Sequence, residues 1–363
     1  MAPVQGRSSL PPPVVSVCMS QSGDHVVVTP RRRYLRMVAL ELGRLAICLL
    51  LAEITLRFVG YDSNPRRGGV HTWIVGDSVL GWRYKAGRYL FSDPATVPPR
   101  QFTSTYLENG TRDSGGTNRG APIALFGYSF IEGYGLDDKE TIPWKLQEQL
   151  PLYDVRNYGV SGYSTYSVLL VMQQVGRQLQ ESGGAVVIYG FADFHAPRNV
   201  KTPCIQKRFG DTEDADKITE VYPICDDYGC TVWRGASMEE WWRRSRFLSL
   251  VGNAWDAVFA ITQPGLAERV TDRILVQMKD EAASRATRLI IAPVTVLSAR
   301  WRDFFARNGF EVVECVSSEM SNPEHLQADS HPNERWATKY AGCLAHHLAA
   351  AETKAVSHDT RAK

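Results

Sequence analysis

The stretch that decides the fold reads PIALFGYSFIEG and covers residues 122–133. Its first half, Ile123 to Phe126, is a short continuous apolar run, which is the pattern of a strand buried on both faces. Ser129 follows this run, close to Gly127. A serine at the carboxyl end of a buried strand, near a glycine, can present its Oγ in a crevice beside a backbone N–H. We therefore expect Ser129 to be a candidate nucleophile at the edge of a sheet.

Strand and helix patterns alternate on the carboxyl side of this stretch. Further strands are predicted at 154–158, 185–189, 288–292 and 311–315, and helices at 141–150, 164–180, 267–286, 299–308 and 334–351. Such alternation implies a parallel sheet, which binds ligands beyond the carboxyl ends of its strands. The core domain is expected at 121–352, with an insertion at about 201–265 and a tail at 353–363.

Three segments precede the core domain. Residues 1–30 are rich in Pro and Ser without periodicity, which predicts a disordered leader. Residues 31–60 place a basic cluster before an apolar run, which is a signal-anchor pattern. Residues 61–120, rich in Gly, Pro, Arg and Tyr, are expected to form an irregular lead-in with one small strand pair near 81–84.

The apolar run at 37–59 predicts an N-terminal membrane helix, a cytoplasmic N-terminus and an extracytoplasmic catalytic domain. Three charged residues, Glu41, Arg44 and Glu53, interrupt the run, and each central charge costs about 2.5 to 3.5 kcal/mol on insertion scales. Glu41 with Arg44, and Glu53 with Arg57, have spacings that allow pairing on a helix. The alternative is an amphipathic helix that packs on the protein or lies on the membrane surface.

The composition excludes several classes of protein. The chain of 363 residues has 41 basic and 39 acidic residues, a net charge of +2, which does not favour binding to nucleic acid. Apolar residues make up 44%, as in a folded soluble body. The seven cysteines lack zinc-site spacing, so neither a metal nor another cofactor is expected.

The cysteines leave two interpretations open. Cys204, Cys225 and Cys230 share one stretch of the insertion, which favours a disulfide-linked loop outside the cytosol. The alternative is free, partly buried thiols, and Cys315 in its predicted strand fits that interpretation best.

Two further segments carry polar groups suited to catalysis. NYGVSGYS, residues 157–164, follows the second strand, and its Gly162 N–H is a candidate oxyanion donor. ADSHPN, residues 328–333, offers Asp329 and His331 just before the last helix. Nucleophile, orienting carboxylate and base thus occur in the order Ser, Asp, His.

Structural roles are the alternatives for these residues. Ser129 alone is more often a turn residue, His331 a helix-entry residue before Pro332, and Asp329 a helix N-cap. His325 competes with His331 for the role of base. A cluster of Trp and Arg in the insertion fits either the packed core of a helix or a sugar-stacking platform; its members are Trp233, Trp241, Trp242, Arg243, Arg244 and Arg246.

Together these blocks resemble the SGNH/GDSL hydrolase family, of the membrane-anchored bacterial type. Residues 127–133 match the family's first block, Gly-Asp-Ser-Phe-Thr-Glu-Gly, in all but two positions, 157–162 match the second and 329–333 the last. The resemblance implies a flavodoxin-like three-layer α/β/α sandwich with a parallel sheet. It also implies Ser129 as nucleophile, His331 as base, Asp329 as its partner, and the Ser129 and Gly162 N–H groups as the oxyanion hole.

Two positions depart from the family pattern. Tyr128 replaces the usual Asp of the first block, and Ala192 replaces the Asn that would give a third oxyanion donor. Losing one such donor typically costs about 2.7 to 4 kcal/mol of transition-state stabilisation. We hypothesise that Asn199 or His195 takes the vacant place.

The function expected from this resemblance is hydrolysis of O-acyl esters on a carbohydrate or a lipid-like small molecule through an acyl-enzyme. The first alternative is an O-acyltransferase that uses the same triad on a cell-envelope glycan. The second is a catalytically weak module that binds glycans through the insertion.

Overall fold

The computed structural model describes residues 30–61, 73–93, 99–116, 120–182, 185–200, 221–226, 229–234, 265–359 and a few positions between 245 and 258. The chain divides into two units, residues 1–58 and 59–363. Residues 1–29 of the predicted leader lie outside the described residues, and its last residue, Pro30, is described. Most of the Trp and Arg cluster also lies outside them, because residues 235–244 are not described.

The described part of the first unit is a helix, α1, which runs from Pro30 to Phe58. Both predicted ion pairs form: Arg44 contacts Glu41 at 2.6 Å and Arg57 contacts Glu53 at 2.7 Å. Within the part of the chain that is described, no helix is long and apolar enough to cross a membrane. The spanning helix expected from the sequence is therefore not supported, in keeping with the charges that interrupt its apolar run.

The second unit begins with two antiparallel strand pairs. β1 (Ile74–Asp77) pairs with β2 (Gly81–Tyr84), and β3 (Gly87–Asp93) pairs with β4 (Arg100–Tyr106). The strand pair expected near 81–84 is present, and the second pair, β3 with β4, was not expected from the sequence. Aromatic side chains of this region, among them Trp82 and Tyr106, belong to the main hydrophobic core, so tertiary packing holds the strands in place.

Five parallel strands form the central sheet. They are β5 (Ala121–Gly127), β6 (Tyr153–Gly159), β7 (Val186–Phe191), β10 (Arg288–Pro293) and β11 (Glu311–Val312). Their order is β6-β5-β7-β10-β11, which is the 2-1-3-4-5 order of flavodoxin-like folds. The predicted fold class is therefore confirmed. β8 (Val221–Asp226) and β9 (Gly229–Arg234) form a separate hairpin in the insertion.

The helices of the second unit include α2 (Ser129–Glu132), α3 (Ile142–Gln149), α4 (Thr165–Glu181), α5 (Leu266–Ser284), α6 (Ala299–Arg307) and α7 (Glu334–Asp359). Residues 246–248 and 250–252 are helical as well. Buried residues of α4, α5 and α6 share one apolar cluster, and those of α3 and α7 share another. The two clusters lie on opposite faces of the sheet, because alternate residues of β5 belong to each. The result is a three-layer sandwich.

Two predicted boundaries and one cysteine assignment need correction. β11 ends at Val312, and α7 continues to Asp359 instead of ending near 351. Cys315 is not a free thiol, because it forms a disulfide with Cys343 of α7. In the hairpin, Cys225 lies opposite Cys230 in the strand register, while Cys204 is outside the described residues.

Candidate functional site

The turn that carries Ser129 lies at the carboxyl end of β5, in the middle of the sheet. Ser129 is the first residue of α2, a helix of one turn that ends at Gly133 in the left-handed conformation. α2 lies directly on the end of β6, since a Cβ added to Gly159 would come within 2.2 Å of the Glu132 backbone nitrogen. The neighbouring strands β5 and β7 mark the topological switch point, where flavodoxin-like folds bind ligands.

Ser129, His331 and Asp329 form a continuous hydrogen-bonded chain. The Oγ of Ser129 lies 3.0 Å from Nε2 of His331. On the other side of the ring, Nδ1 of His331 lies 2.9 Å from Oδ2 of Asp329. The second carboxylate oxygen, Oδ1, accepts the His331 backbone N–H at 3.1 Å, so Asp329 fixes both the ring and its backbone. The three predicted residues are thus brought together across 202 positions of sequence.

The loop that carries Asp329 and His331 is held at its base. Gln327 N–H donates to the His331 carbonyl at 2.7 Å, and Leu326 bridges to Pro332. The Gln327 side chain donates to the Tyr134 carbonyl at 2.7 Å, which ties the loop to the chain that follows α2. These bonds set the position of the imidazole relative to the Ser129 turn.

Gly162 occupies the turn that follows β6. Tyr163 N–H donates to the Val160 carbonyl at 3.2 Å, so residues 160–163 close a β-turn with Gly162 at its third position. The φ of Gly162 is +91°, which type II turns require at this position and which favours glycine. Val160 N–H also donates to the Gly127 carbonyl at 3.2 Å, which places this turn beside the Ser129 turn.

Glu132 joins the two turns and was not identified from the sequence. Its carboxylate is buried; Oε1 accepts the Tyr106 hydroxyl at 2.6 Å, and Oε2 accepts the Ser161 N–H at 3.0 Å. The Ser161 hydroxyl also donates to Oε2. Glu132, three residues after Ser129, therefore fixes the position of Ser161, which precedes Gly162. Burial, together with the Glu132 charge, raises the pKa of the Tyr106 and Tyr84 hydroxyls, which stay protonated as donors.

Arg112 binds the backbone at the end of α2. Its guanidinium is fully buried, with Nη1 donating to the carbonyls of Glu132 at 3.0 Å and Gly133 at 2.7 Å. Nη2 donates to the Leu136 carbonyl at 2.6 Å, and Nε contacts Asp138 at 2.9 Å. These bonds satisfy carbonyls at the end of α2, which its short length leaves without helical partners.

Asn199 and His195, the candidates for the oxyanion donor missing at Ala192, make contacts with other residues. Ala192 follows β7 as expected and is buried. The Asn199 amide donates to Thr271 Oγ1 at 2.7 Å and accepts from Tyr166 N–H at 3.1 Å, so it links α5 to α4. The structure therefore commits Asn199 to these helices instead of to Ser129. His195 packs its ring against Tyr128 with centroids 3.4 Å apart, and its role as a donor stays a prediction.

Aromatic side chains border the triad. Phe130 and Tyr134 have ring centroids 5.5 Å and 4.9 Å from the His331 ring, and Phe194 lies 6.3 Å from Phe130. Tyr134 and Phe194 are exposed, so a ligand can reach their rings. We call Phe130, Tyr134 and Phe194 the aromatic rim.

Fold and site together define an α/β protein of flavodoxin-like topology with a Ser-His-Asp constellation at its switch point. Several solved structures are similar to the chain. A crystal structure of TesA shares 13% identity over 61% of this chain and 95% of that chain, with a TM-score of 0.36. The psychrotrophic esterase EstA from Pseudoalteromonas sp. shares 10% over 64% of this chain and 99% of that chain, with a TM-score of 0.37.

AlinE4, an SGNH-hydrolase family esterase, shares 17% identity over 66% of this chain and 96% of its own, with a TM-score of 0.32. Its family is the one that the sequence blocks resemble. No protein-family model and no curated protein sequence matches the chain. The TM-scores of all three structures are below 0.5.

Proposed function

We propose that this protein is a serine esterase of the SGNH/GDSL type that hydrolyses O-acyl esters. The observation that carries the proposal is the hydrogen-bonded chain from Ser129 Oγ to His331 Nε2 at 3.0 Å and from His331 Nδ1 to Asp329 at 2.9 Å. Both distances lie in the range that nucleophile activation by a general base requires.

In the first half-reaction, Ser129 Oγ attacks the ester carbonyl while its proton passes to His331 Nε2. The carbonyl oxygen becomes an oxyanion, which the Ser129 and Gly162 N–H groups stabilise. His331 then gives the proton to the departing alcohol oxygen, and the acyl group remains on Ser129. In the second half, His331 takes a proton from water, the hydroxide attacks the acyl-enzyme, and the carboxylic acid leaves as Ser129 regains its proton.

The aromatic rim supports a substrate with an apolar or ring-shaped part next to the ester. Exposed aromatic rings accept both alkyl chains and the apolar faces of sugar rings, so the rim fits a lipid-like or carbohydrate O-acyl ester. The Cys315–Cys343 disulfide supports a location outside the reducing cytosol, since such bonds persist in oxidising compartments.

Fluorophosphonate labelling and p-nitrophenyl acetate turnover test the proposal on the full chain. Ser129→Ala and His331→Ala should each lower kcat/KM on the order of 10⁴-fold or more. Exposed Ser284→Ala and His346→Ala are the matched controls and should keep wild-type rates. Equal background rates in all five proteins, with no fluorophosphonate adduct on Ser129, would refute the proposal. Product that forms faster with an added sugar acceptor than in water alone would instead support acyl transfer.

A further inference from the structure

A second group of chemically active side chains lies outside the triad. Glu319, Glu324 and His325 come from two short 3-10 turns, Ser318–Ser321 and Pro323–His325, and their ligand atoms all lie within 4.8 Å of one another. They line an open cavity of about 470 Å³ against the start of α7. The triad includes none of these residues.

His325 differs from an ordinary buried histidine. It is only 3% exposed, and its Nδ1 atom has no hydrogen-bond partner among the described residues. A buried imidazole nitrogen that makes no hydrogen bond loses the energy of its former contact with water. The nearest charged atom is Glu324 Oε1 at 3.6 Å, which is too long for a hydrogen bond.

The same 3.6 Å separation fits two ligands of one metal ion. Zn²⁺ binds imidazole nitrogen at about 2.0–2.1 Å and carboxylate oxygen at about 2.0–2.2 Å, so two tetrahedral ligands lie roughly 3.4 Å apart. An ion between Nδ1 and Oε1 would satisfy the unpaired nitrogen without moving the buried ring. Glu319 and Glu324 are largely exposed, so their side chains are able to rotate toward the ion.

We infer that Glu319, Glu324 and His325 form a binding site for a divalent transition-metal ion, with Zn²⁺ as the ion that fits best. One imidazole and two carboxylates leave a fourth tetrahedral position for water. The two carboxylate charges balance those of the ion. Imidazole favours Zn²⁺ over Ca²⁺ and Mg²⁺, which prefer sites made only of oxygen ligands.

Two cations, Arg335 and Lys339, also line the cavity and oppose metal binding. Lys339 Nζ contacts Glu319 Oε1 at 2.6 Å, but both side chains are about half exposed, and such ion pairs contribute little. Removal of the competing ammonium should therefore tighten binding.

The site adjoins the base of the loop that carries the triad histidine. Asn333 Nδ2 donates to the Glu324 carbonyl at 2.8 Å, and Asn333 N–H donates to the His325 carbonyl at 3.0 Å. A bound ion would hold residues 324 and 325 in place and, through Asn333, the end of the loop that bears His331. Its role there would be structural, because no ligand of the site contacts Ser129 or His331 in the hydrogen bonds described.

Calorimetric titration of the metal-free full chain with ZnSO₄ tests the site. Glu319 and Glu324 are exposed, so Glu319→Gln and Glu324→Gln should leave the fold intact. Each should weaken Zn²⁺ binding on the order of tenfold or more, because mutation of a residue that only hydrogen-bonds to a metal ligand already costs about 10–100-fold in affinity. His325→Ala should weaken it further, and Lys339→Met should strengthen it. Glu314→Gln, an exposed carboxylate elsewhere, is the matched control and should bind as wild type.

Titration of His331→Ala separates this site from the triad, because the triad also offers an imidazole and a carboxylate. Binding that survives in His331→Ala and weakens in Glu324→Gln assigns the ion to the new site. Binding that is lost in His331→Ala but unchanged in Glu319→Gln and Glu324→Gln would overturn the inference, as would no Zn²⁺ binding at all. No substrate is used, so the result does not depend on esterase activity.

Discussion

Replacement of Glu132 by alanine should affect both stability and catalysis. The change removes the carboxylate that accepts two buried hydrogen bonds. The Tyr106 hydroxyl donates to it at 2.6 Å and the Ser161 N–H at 3.0 Å. Each buried donor left unpaired costs about 1–3 kcal/mol, so the free energy of unfolding should fall by about 2–6 kcal/mol. The Ser161 hydroxyl can rotate toward another acceptor and adds little.

The catalytic effect follows from the position of Ser161 beside Gly162. Once Ser161 is released, we expect the Gly162 N–H to lose its orientation toward the proposed oxyanion, and loss of one such donor costs about 10²–10³-fold in kcat. We expect kcat to fall toward this range while KM changes little, because the aromatic rim that we propose contacts the substrate remains. Glu132→Gln should recover part of the loss, since its amide oxygen can still accept the Ser161 N–H.

Steady-state kinetics with p-nitrophenyl acetate and urea unfolding measure the two effects separately. Glu314→Ala removes an exposed carboxylate paired with Arg302 and serves as the control, with no change expected in either assay. If Glu132→Ala lowers stability but leaves kcat unchanged, Glu132 supports the fold only, and the proposed link between the two turns is wrong.

Three other changes have expected outcomes. Cys315→Ser with Cys343→Ser opens a loop closed over 28 residues, which should lower the free energy of unfolding by about 3–4 kcal/mol in urea titrations; an unchanged midpoint would contradict this. Gly162→Ala forces a side chain into φ +91° and should cost about 1–2 kcal/mol and reduce turnover, whereas wild-type turnover would argue against its oxyanion role. Arg288 lowers the pKa of Glu311, so this pair stabilises the fold above the ordinary pKa of a glutamate and the contribution is lost on acidification. Glu311→Gln should therefore destabilise the fold more at pH 7 than at pH 3, and an equal loss at both pH values would refute the charge argument.

The central sheet was predictable because its strands are continuous apolar runs. β5 and β7 are buried on both faces by helices, so no polar residue interrupts them, and simple inspection places them within two residues. Of the strands β1 to β4, only β2 at 81–84 was expected from the sequence. Their aromatic residues stack on each other, as Tyr84 does on Tyr106 at 4.1 Å, and such pairing depends on contacts that local patterns do not encode.

The triad residues were predictable because each follows a recognisable strand or precedes a helix. Glu132 lies within the same quoted block, yet its partners Tyr106 and Ser161 are 26 and 29 positions away in opposite directions. The Cys315–Cys343 disulfide was missed for a related reason, because it joins the segment after β11 to a helix that packs across it. Long-range pairs of this kind require the three-dimensional arrangement.

The close approach of α2 to Gly159 has a consequence for mutational screens. A side chain at position 159 would meet the backbone of Glu132 at 2.2 Å, and a peptide backbone cannot rotate away as a side chain can. Any substitution there must lift the whole turn, and the serine with it, out of reach of the imidazole. A saturation library selected for esterase activity should therefore show position 159 to be as intolerant as Ser129, His331 and Asp329, although glycine has no functional group to offer.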